Sequence, residues 1–289
     1  MIFVTGSTGF IGRSLMAWFQ REDIAATPYH GRINDPLTLR QQLKETQPRI
    51  IIHLAGAEAR GRDRLLRHVD IEGTERLLEE SRRAGIERLI YVSRMNANHL
   101  DSHALLKAKG EAERLIQQSG IPYTILRPAT LYGRNDRFFE IIVGVAIWTW
   151  PLVWLPGGGH VSFQPLWVED FVRCLAATVD RPDLINKTIT LAGEEKIFYR
   201  DLVRLLLTTT GKRRIAVPLP MTLMRQTSRF IFYWWYWPAI SQYFIDRFFV
   251  PEITEYDTIM RHFGFRPARI RQNISYLNRR GLAMRIFRH

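Results

Sequence analysis

The chain begins with a short apolar run that leads directly into a turn with regularly spaced glycines. Residues 1–12 read MIFVTGSTGFIG, in which Gly6, Gly9 and Gly12 recur at every third position. After a strand, Gly6 permits a tight turn, Gly9 lets the backbone approach a pyrophosphate, and Gly12 lets the next helix pack closely. A helix predicted up to Gln20 then offers its first amides and positive dipole end to phosphates. The pattern predicts a dinucleotide-binding turn.

Strand-like apolar runs alternate with helical patterns through the first half of the chain. The predicted strands are Ile2–Thr5, Ile24–Tyr29, Arg49–Leu54, Arg88–Ser93 and Tyr123–Leu126, and the predicted helices are Gly12–Gln20, Pro36–Glu45, Arg64–Ala84 and His103–Ser119. This alternation predicts an α/β fold, a Rossmann-like doubly wound parallel sheet with right-handed crossovers. The connection before Pro36 is short, so we expect the third strand of an average Rossmann sheet to be vestigial or fused with that turn.

The pattern changes after Arg127-Pro128. Two further strands are predicted at 161–168 and 188–191, and two further helices at 169–179 and 199–210. We expect residues 1–135, completed by 161–195, to form the dinucleotide-binding core. Residues 136–160 and 196–289 are predicted to form a smaller aromatic, basic lobe that contacts a substrate, a partner or a membrane.

Apolar and charged residues are unevenly distributed in this second region. Ile141–Pro156 contains no charged residue, and Phe230–Phe249 holds 11 of the 34 aromatic residues. Prolines, glycines or charged residues interrupt both segments, so neither is predicted to span a membrane. One interpretation is a core or a pocket lid. The other is contact with a membrane surface or a membrane protein, for which tryptophan and tyrosine beside arginine are suited.

A basic tail follows these segments. Residues 261–289 contain eight arginines and no Asp or Glu, within a chain of formal net charge +13. This tail is interpreted as a solvated face, as a contact for an anionic membrane, or as a contact for an acidic protein. No recognised DNA- or RNA-binding module accompanies it, so a nucleic-acid partner is not expected.

Cysteine and histidine usage bounds the chemistry and the compartment. The single cysteine, Cys174, excludes an internal disulfide, and no leader pattern precedes the first strand. We therefore expect a reducing compartment, with the protein peripheral on the cytoplasmic side of a membrane. The eight histidines are scattered without ligand spacing, so no metal site is predicted.

Several strings occur in the order found in a known superfamily. TGSTGFIG, HLAGA at 53–57, the run IYVS ending at 93 and YTILRPATLYG at 123–133 resemble an extended or atypical short-chain dehydrogenase/reductase. More narrowly, SRMNAN at 93–98 and GRNDRFF at 133–139 are similar to strings in the nucleotide-binding accessory subunit of respiratory complex I and its bacterial relatives. The likeness covers about residues 1–215 and fades in the aromatic segment and the tail.

The resemblance implies which residues hold the cofactor. It maps Arg13 and His30 onto basic positions, and Arg32 lies close to His30 in the sequence. No Asp or Glu stands at the end of the second strand to accept a ribose 2′-hydroxyl, so NADP(H) is favoured and NAD(H) is the alternative. The predicted cofactor-binding residues are Thr5, Gly6, Thr8, Gly9, Phe10, Ile11, Gly12, Arg13, His30, Arg32, Leu54, Ala55, Gly56, Ser93, Lys109, Pro128, Ala129 and Thr130.

Catalytic residues of that superfamily are only partly matched. A serine there polarises the substrate carbonyl, a tyrosine transfers the proton, and a lysine four residues later assists the tyrosine. Ser93 and Lys109 match the serine and the lysine, but Leu105 occupies the tyrosine position and carries no proton to transfer. In a second register His103 precedes Lys107 by four residues, and a histidine can transfer protons near neutral pH. No complete catalytic set is assigned.

Three functions follow from these observations. The first is an NADP(H)-binding, non-catalytic accessory subunit docked on a membrane-bound, complex I-like respiratory complex through Ile141–Pro156, Phe230–Phe249 and the basic tail. The second is an NADP-dependent reductase or isomerase acting on an apolar, quinone-like or isoprenoid-like substrate. The third is an assembly factor for a membrane complex. Leu105 favours the first function over the second, whereas the sequence does not separate the first from the third.

Overall fold

The computed structural model describes residues 1–58, 63–224, 242–279 and 281–287. Their strands are β1 Ile2–Thr5, β2 Ala26–Pro28, β3 Ile50–His53, β4 Arg88–Val92, β5 Tyr123–Pro128, β6 Leu131–Tyr132, β7 Leu152–Pro156, β8 Ser162–Phe163, β9 Leu166–Trp167, β10 Lys187–Leu191, β11 Ile197–Phe198 and β12 Ile215–Leu219. Their main helices are α1 Phe10–Arg21, α2 Pro36–Thr46, α3 Asp63–Leu66, α4 Gly73–Arg83, α5 Ala104–Gln117, α6 Phe139–Trp148, α7 Val168–Thr178 and α8 Tyr199–Thr209.

Short helical segments complete this set. A π-helical segment, Arg67–Glu72, joins α3 to α4. Short helices cover Gln242–Asp246 and Thr258–Phe263, and 3₁₀ turns cover Gly157–Gly159, Pro182–Leu184, Ile270–Asn273, Ser275–Asn278 and Leu282–Phe287.

The described residues divide into two compact units. The first unit comprises 1–58, 63–128 and 168–191, and the second comprises 129–167, 192–224, 242–279 and 281–287. Assignment of the second unit to substrate, partner or membrane contact stays a prediction.

A six-stranded parallel sheet organises the first unit, in the order β10-β5-β4-β3-β1-β2. Ile2 of β1 lies opposite Ala26 of β2 on one side and Ile50 of β3 on the other. The predicted Rossmann-like, doubly wound fold is confirmed. The sheet ends at β2, because the described residues 29–35 form no further strand. The expected departure from an average Rossmann sheet is therefore found in the short connection before Pro36.

Helices bury the sheet, as a parallel sheet requires. All five residues of β4 are buried. One core cluster takes side chains from four strands and three helices: Phe3, Ile51, Leu89, Ile125, Leu39, Leu77 and Ile116. Each such side chain contributes about 1.5–3 kcal/mol when removed from water.

The helix predicted at Pro36 begins there for two local reasons. Proline fits the first helical position, and Asp35 at the N-cap accepts hydrogen bonds from the backbone N–H groups of Leu37 and Thr38, at 3.2 and 3.3 Å.

Two elements differ from their predicted form. The helix predicted from Arg64 to Ala84 contains the π-helical segment, in which Asp70 is buried. The strand predicted over 161–168 is split into β8 and β9 around Gln164 and Pro165, and Val168 already begins α7. Proline has no N–H to donate, which disfavours an uninterrupted strand there.

Aromatic side chains form the core of the second unit. Phe138, Phe163, Tyr199 and Phe248 are buried in one cluster, and the rings of Tyr199 and Phe248 meet edge to face at 4.7 Å. Among the described residues of this unit, three two-stranded pairings are formed: β6 with β9, β7 with β12, and β8 with β11.

The two aromatic segments of the sequence contribute to this unit in different ways. Ile141–Pro156 forms most of α6 and all of β7. Of Phe230–Phe249, residues 230–241 lie outside the described residues, and Tyr243, Ile245 and Phe248 from the remainder are buried. Within the described ranges, every helix is too short or too polar to cross a bilayer.

Candidate functional site

The glycine turn has the geometry that its spacing predicts. Gly6 has φ +72°, and a Cβ there would lie 2.6 Å from the backbone of Leu54 and Ala55. A Cβ on Gly12 would lie 2.3 Å from the carbonyl oxygen of Gly6. Both positions therefore accept only glycine without backbone movement, the first for its conformation and the second for close helix packing.

The start of α1 suits an anion. Gly9 is its N-cap and has no side chain to cover the first amides, and its first turn contains no acidic residue. Arg13 is exposed, and its guanidinium donates to the carbonyl oxygen of Thr8 at 2.7 Å. Backbone amides, helix dipole and arginine together fit the pyrophosphate of a dinucleotide.

Basic residues follow β2. Asp35, the next acidic residue along the chain, accepts hydrogen bonds from α2. His30 and Arg32 are exposed. Gln42 on α2 holds the His30 backbone through two hydrogen bonds, of 3.1 and 2.9 Å. Both oxygens of Asp35 accept hydrogen bonds from the first turn of α2, Oδ2 from the Thr38 hydroxyl at 2.6 Å. Asp35 therefore serves the helix cap.

A chain of buried polar groups runs from the glycine turn into the unit. The Thr5 hydroxyl lies 2.7 Å from Nδ1 of His53, and Nε2 of His53 lies 3.1 Å from the Thr74 hydroxyl. Thr74 donates to the carbonyl oxygen of Asp70 at 2.6 Å. Burial, together with the charge of Lys109, lowers the pKa of His53 to about 3, so this imidazole stays neutral.

This series of buried polar groups ends at an ion pair between Lys109 and Asp70. Nζ of Lys109 lies 2.9 Å from Oδ1 of Asp70, and both side chains are buried. The other oxygen of Asp70 accepts the backbone N–H of Ala57 at 2.9 Å, in the loop that follows β3. Burial opposes the charge of Lys109, but Asp70 and Tyr91 outweigh it and raise the pKa of Lys109 above its usual value. Lys109 is therefore charged and held by Asp70.

Lys109 and Lys107, the lysines of the two alternative alignments, have different environments in the structure. Lys109 points into the unit, whereas Lys107 is exposed. Leu105, one turn before Lys109 on α5, is buried. Among the described residues the buried Ser93 hydroxyl at the end of β4 has no hydrogen-bond partner, which leaves it available to a ligand.

His103 occupies the N-cap of α5 and has an acidic neighbour. Its Nδ1 lies 2.8 Å from Oδ1 of Asp101, which also accepts the His103 backbone N–H at 2.7 Å. Asp101 thus fixes the orientation of this imidazole.

The predicted residues after β5 are divided between the units. Pro128 ends β5, and its carbonyl oxygen accepts the backbone N–H of Met95 at 2.9 Å. Ala129 and Thr130 belong to the second unit, where the backbone N–H of Thr130 donates to Glu252 at 2.8 Å and its hydroxyl donates to the same carboxylate. Glu252 therefore engages both donors of Thr130.

Sequence reasoning missed Asp70 and Glu252. One signal for Asp70 was available: Leu66, Asp70, Gly73 and Leu77 recur at helical spacing, and an acidic residue in an apolar stripe implies a buried partner. Glu252 offered no comparable signal, because its partner Thr130 lies 122 residues away.

Comparisons with known proteins agree with this geometry. A family model described as NAD(P)H-binding matches residues 16–143. The rat (Rattus norvegicus) NADH dehydrogenase [ubiquinone] 1 alpha subcomplex subunit 9, mitochondrial, is 29% identical over 256 residues, covering 80% of this chain and 64% of that subunit. The mouse (Mus musculus) subunit is 27% identical over 75% of this chain and 63% of its own length. The chain thus spans slightly less than two thirds of these relatives.

Solved structures show the same fold at lower identity. The UDP-glucose 4-epimerase of Thermotoga maritima, solved with UDP-glucose, superposes with a TM-score of 0.73 at 19% identity, covering 96% of this chain and 97% of that one. The chain therefore has a Rossmann-like fold with an NAD(P)H-binding match over residues 16–143, and it is similar to subunit 9 of the NADH dehydrogenase alpha subcomplex over 80% of its length.

Proposed function

We propose that this chain is a non-catalytic, NADP(H)-binding accessory subunit of a membrane-bound respiratory complex of the complex I type. The observation that carries the proposal is the state of the catalytic positions. Leu105 stands where the resemblance places the tyrosine, and Lys109 is ion-paired with Asp70 at 2.9 Å. A nucleotide bound beside these residues lacks the usual proton donor and is retained rather than turned over.

NADP(H) is the nucleotide we propose. Its 2′-phosphate would meet exposed His30 and Arg32 after β2, with Arg13 on the pyrophosphate side. Thr5, Gly6, Thr8 and the first turn of α1 would hold the phosphates, and the predicted residues that follow β3 and β4 in the first unit would line the nicotinamide end. The cap role of Asp35 supports this choice, because NAD recognition uses a carboxylate near this strand end.

Docking on the complex is proposed to use the second unit, through Ile141–Pro156, Phe230–Phe249 and the basic tail. The protein would be peripheral, on the cytoplasmic side. The alignment with a complex I subunit over 80% of the chain supports this assignment. Because the chain spans 64% of that relative, the docking contacts of the two proteins need not coincide.

Isolation of the native complex tests this function. Membranes are solubilised in mild detergent and separated by density gradient, and the chain and its nucleotide are quantified across the fractions. We expect the chain at one copy per NADH dehydrogenase complex, with NADP(H) bound and no hydride exchange with added carbonyl or quinone compounds. Recovery as a free monomer without detergent or high salt would refute the proposal. Presence only in incomplete complexes would indicate an assembly factor.

A second candidate is an NADP-dependent reductase or isomerase that uses His103 as its acid/base. The contact of 2.8 Å between His103 and Asp101 favours it, because a carboxylate that orients an imidazole is a common device of general acid–base catalysis. Its test is hydride exchange across apolar quinone-like and isoprenoid-like substrates. Activity that is lost in His103→Ala and kept in His99→Ala would establish this candidate in place of the accessory role.

A further inference from the structure

Three tryptophans of the second unit are exposed although most large apolar side chains are buried. Trp150 is 71% exposed, Trp148 52% and Trp154 39%, and Ile215 is 62% exposed. These four residues are termed the tryptophan edge. Exposed apolar groups that cluster in this way mark an interaction surface.

The tryptophan edge is one continuous surface. The backbone N–H of Ile215 donates to the carbonyl oxygen of Pro151 at 2.9 Å, which places β12 beside the residue that follows Trp150. Along the β7–β12 pairing, Trp154 lies opposite Val217. The Arg214 guanidinium donates to the carbonyl oxygen of Ala146 on α6, and α6 ends at Trp148.

The C-terminal turn adjoins this surface. Nε1 of Trp148 donates to the carbonyl oxygen of Ala283 at 2.6 Å, and the neighbouring Met284 is exposed. Three separate segments of the chain thus meet at the edge, residues 148–154, 212–217 and 283–284.

These three segments carry charge of one sign. Together they contain three Lys or Arg residues, Lys212, Arg213 and Arg214, and no Asp or Glu. At the edge itself, Arg213 is exposed and Lys212 and Arg214 are half-buried.

Such a surface complements an anionic lipid headgroup layer. Tryptophan combines an apolar ring with a polar N–H and is favoured at the boundary between headgroups and acyl chains. Lysine and arginine next to it are attracted to the negative leaflet, at about 1 kcal/mol each. An anionic leaflet is negatively charged, which matches an edge whose segments carry three cationic side chains and no acidic one.

We propose that the tryptophan edge inserts at the headgroup level of an anionic bilayer, with Lys212 and Arg213 bound to lipid phosphates. The inference rests on the proposed function in one respect: it names what the second unit touches when the protein is docked at a membrane. It requires neither a bound nucleotide nor a protein partner.

Flotation with lipid vesicles tests the proposal. The full chain is mixed with vesicles of phosphatidylcholine alone or of equal parts phosphatidylcholine and phosphatidylglycerol. We expect binding to the anionic vesicles only, falling steeply with added salt. Trp150→Ser/Ile215→Ser should lower the partition coefficient at least about tenfold, because it removes the inserting side chains. Lys212→Gln/Arg213→Gln should lower it about 25-fold, as two charges at about fivefold each.

Matched variants in the first unit are the controls. Leu37→Ser/Leu100→Ser removes two exposed apolar residues, and Lys44→Gln/Lys107→Gln removes two exposed charges. Both should bind vesicles like the wild type, and thermal unfolding verifies that every variant is folded. Equal binding to neutral and anionic vesicles, or equal losses in edge and control variants, would overturn the proposal. So would a chain that binds the isolated complex but no vesicle, since a protein partner would then cover the edge.

The outcome is separable from that of the proposed function. Vesicle binding that depends on the edge, in a chain absent from the isolated complex, would sustain the lipid contact and refute the accessory role. Stoichiometric presence in the complex without any vesicle binding would do the reverse.

Discussion

Asp70 and Asp136 are both buried, one in each unit, and the two units give them different partners. In the first, Asp70 is paired with the ammonium of Lys109 at 2.9 Å. In the second, Asp136 is buried at the start of α6 and has no lysine or arginine bonded to it among the described residues. It accepts hydrogen bonds from Tyr276 and from the backbone N–H groups of Gly133, Phe138 and Glu140.

These arrangements have opposite consequences for charge. The Asp70 carboxylate raises the pKa of Lys109, so the lysine stays charged in the buried pair. Burial raises the pKa of Asp136 to about 6, although the bond from Tyr276 opposes that shift. The first unit therefore holds a buried ion pair next to its glycine-turn network, and the second holds a carboxyl group that titrates near neutral pH.

The largest expected effect comes from breaking the ion pair. Asp70→Asn leaves the ammonium of Lys109 buried without its counter-ion, so we expect a loss of about 3–5 kcal/mol in the free energy of unfolding, measured with urea. The double variant Asp70→Asn/Lys109→Met should regain much of that loss, because it removes both buried charges.

An exposed pair in the same unit is the control. Arg49 and Glu87 are 2.8 Å apart on the surface, and Glu87→Gln should change stability little. Equal losses for Asp70→Asn and Glu87→Gln would show that burial of the pair does not matter.

The second largest expected effect is the pH dependence of stability that comes from the carboxyl group of Asp136. A carboxyl group whose folded pKa exceeds its unfolded value keeps its proton longer when folded, so stability falls as pH rises from about 4 to about 6. We expect Asp136 to contribute a fall of about 1–3 kcal/mol over that range, a fall that is absent in Asp136→Asn. The measurement is the difference in unfolding free energy between pH 4.5 and 7.5 within each protein.

Asp183 provides the comparison for this pH effect. It is exposed, and the hydrogen bond from Arg181 lowers its pKa, so its contribution has the opposite sign. Asp183→Asn should leave the fall attributed to Asp136 in place. A pH difference that is unchanged in Asp136→Asn would contradict the assignment.

Local patterns predicted most of the first unit. β1 was predicted at its observed bounds, and α2 and α5 within two residues of theirs, because apolar periodicity and residues such as Asp35-Pro36 act over a few positions. The glycine turn was predicted with its reasons, since strand, spacing and helix all lie within the first 21 residues.

Contacts between residues far apart in the sequence could not be predicted from those local patterns. The bond from Tyr276 to Asp136 joins residues 140 positions apart, and the bond from Thr130 to Glu252 joins residues 122 apart. The π-helical segment that contains Asp70 packs against α5, which lies more than 30 residues further along the chain. Sequence therefore predicted the glycine turn better than the contacts that hold the residues around it.

Two glycine substitutions in the first unit should separate an effect on stability from an effect on nucleotide binding. Gly12→Ala places a methyl group against the carbonyl oxygen of Gly6 at 2.3 Å, so we expect a loss of about 1–3 kcal/mol in unfolding free energy.

A Cβ at position 9 would lie 3.2 Å from the same oxygen, and Gly9 has φ −70°, which alanine adopts readily. Gly9→Ala should therefore lose less stability than Gly12→Ala. In the proposed site the methyl group at position 9 would occupy space needed by the pyrophosphate, so NADPH affinity, measured by fluorescence titration, should fall about tenfold, or 1.4 kcal/mol. Equal nucleotide affinity in Gly9→Ala and wild type would place the phosphates elsewhere.

The smallest effect concerns the 2′-phosphate. Arg32→Gln removes one exposed cation after β2, and loss of one charge-assisted hydrogen bond should weaken NADPH binding about tenfold. NADH lacks the 2′-phosphate, so its affinity should not change, and the ratio of the two affinities isolates this contact from the rest of the site. Lys44→Gln removes an exposed cation from the end of α2 and should leave both affinities unchanged. If Arg32→Gln weakened NADH and NADPH equally, the arginine would act on the shared part of the dinucleotide, and the charges after β2 would no longer account for a preference for NADP(H).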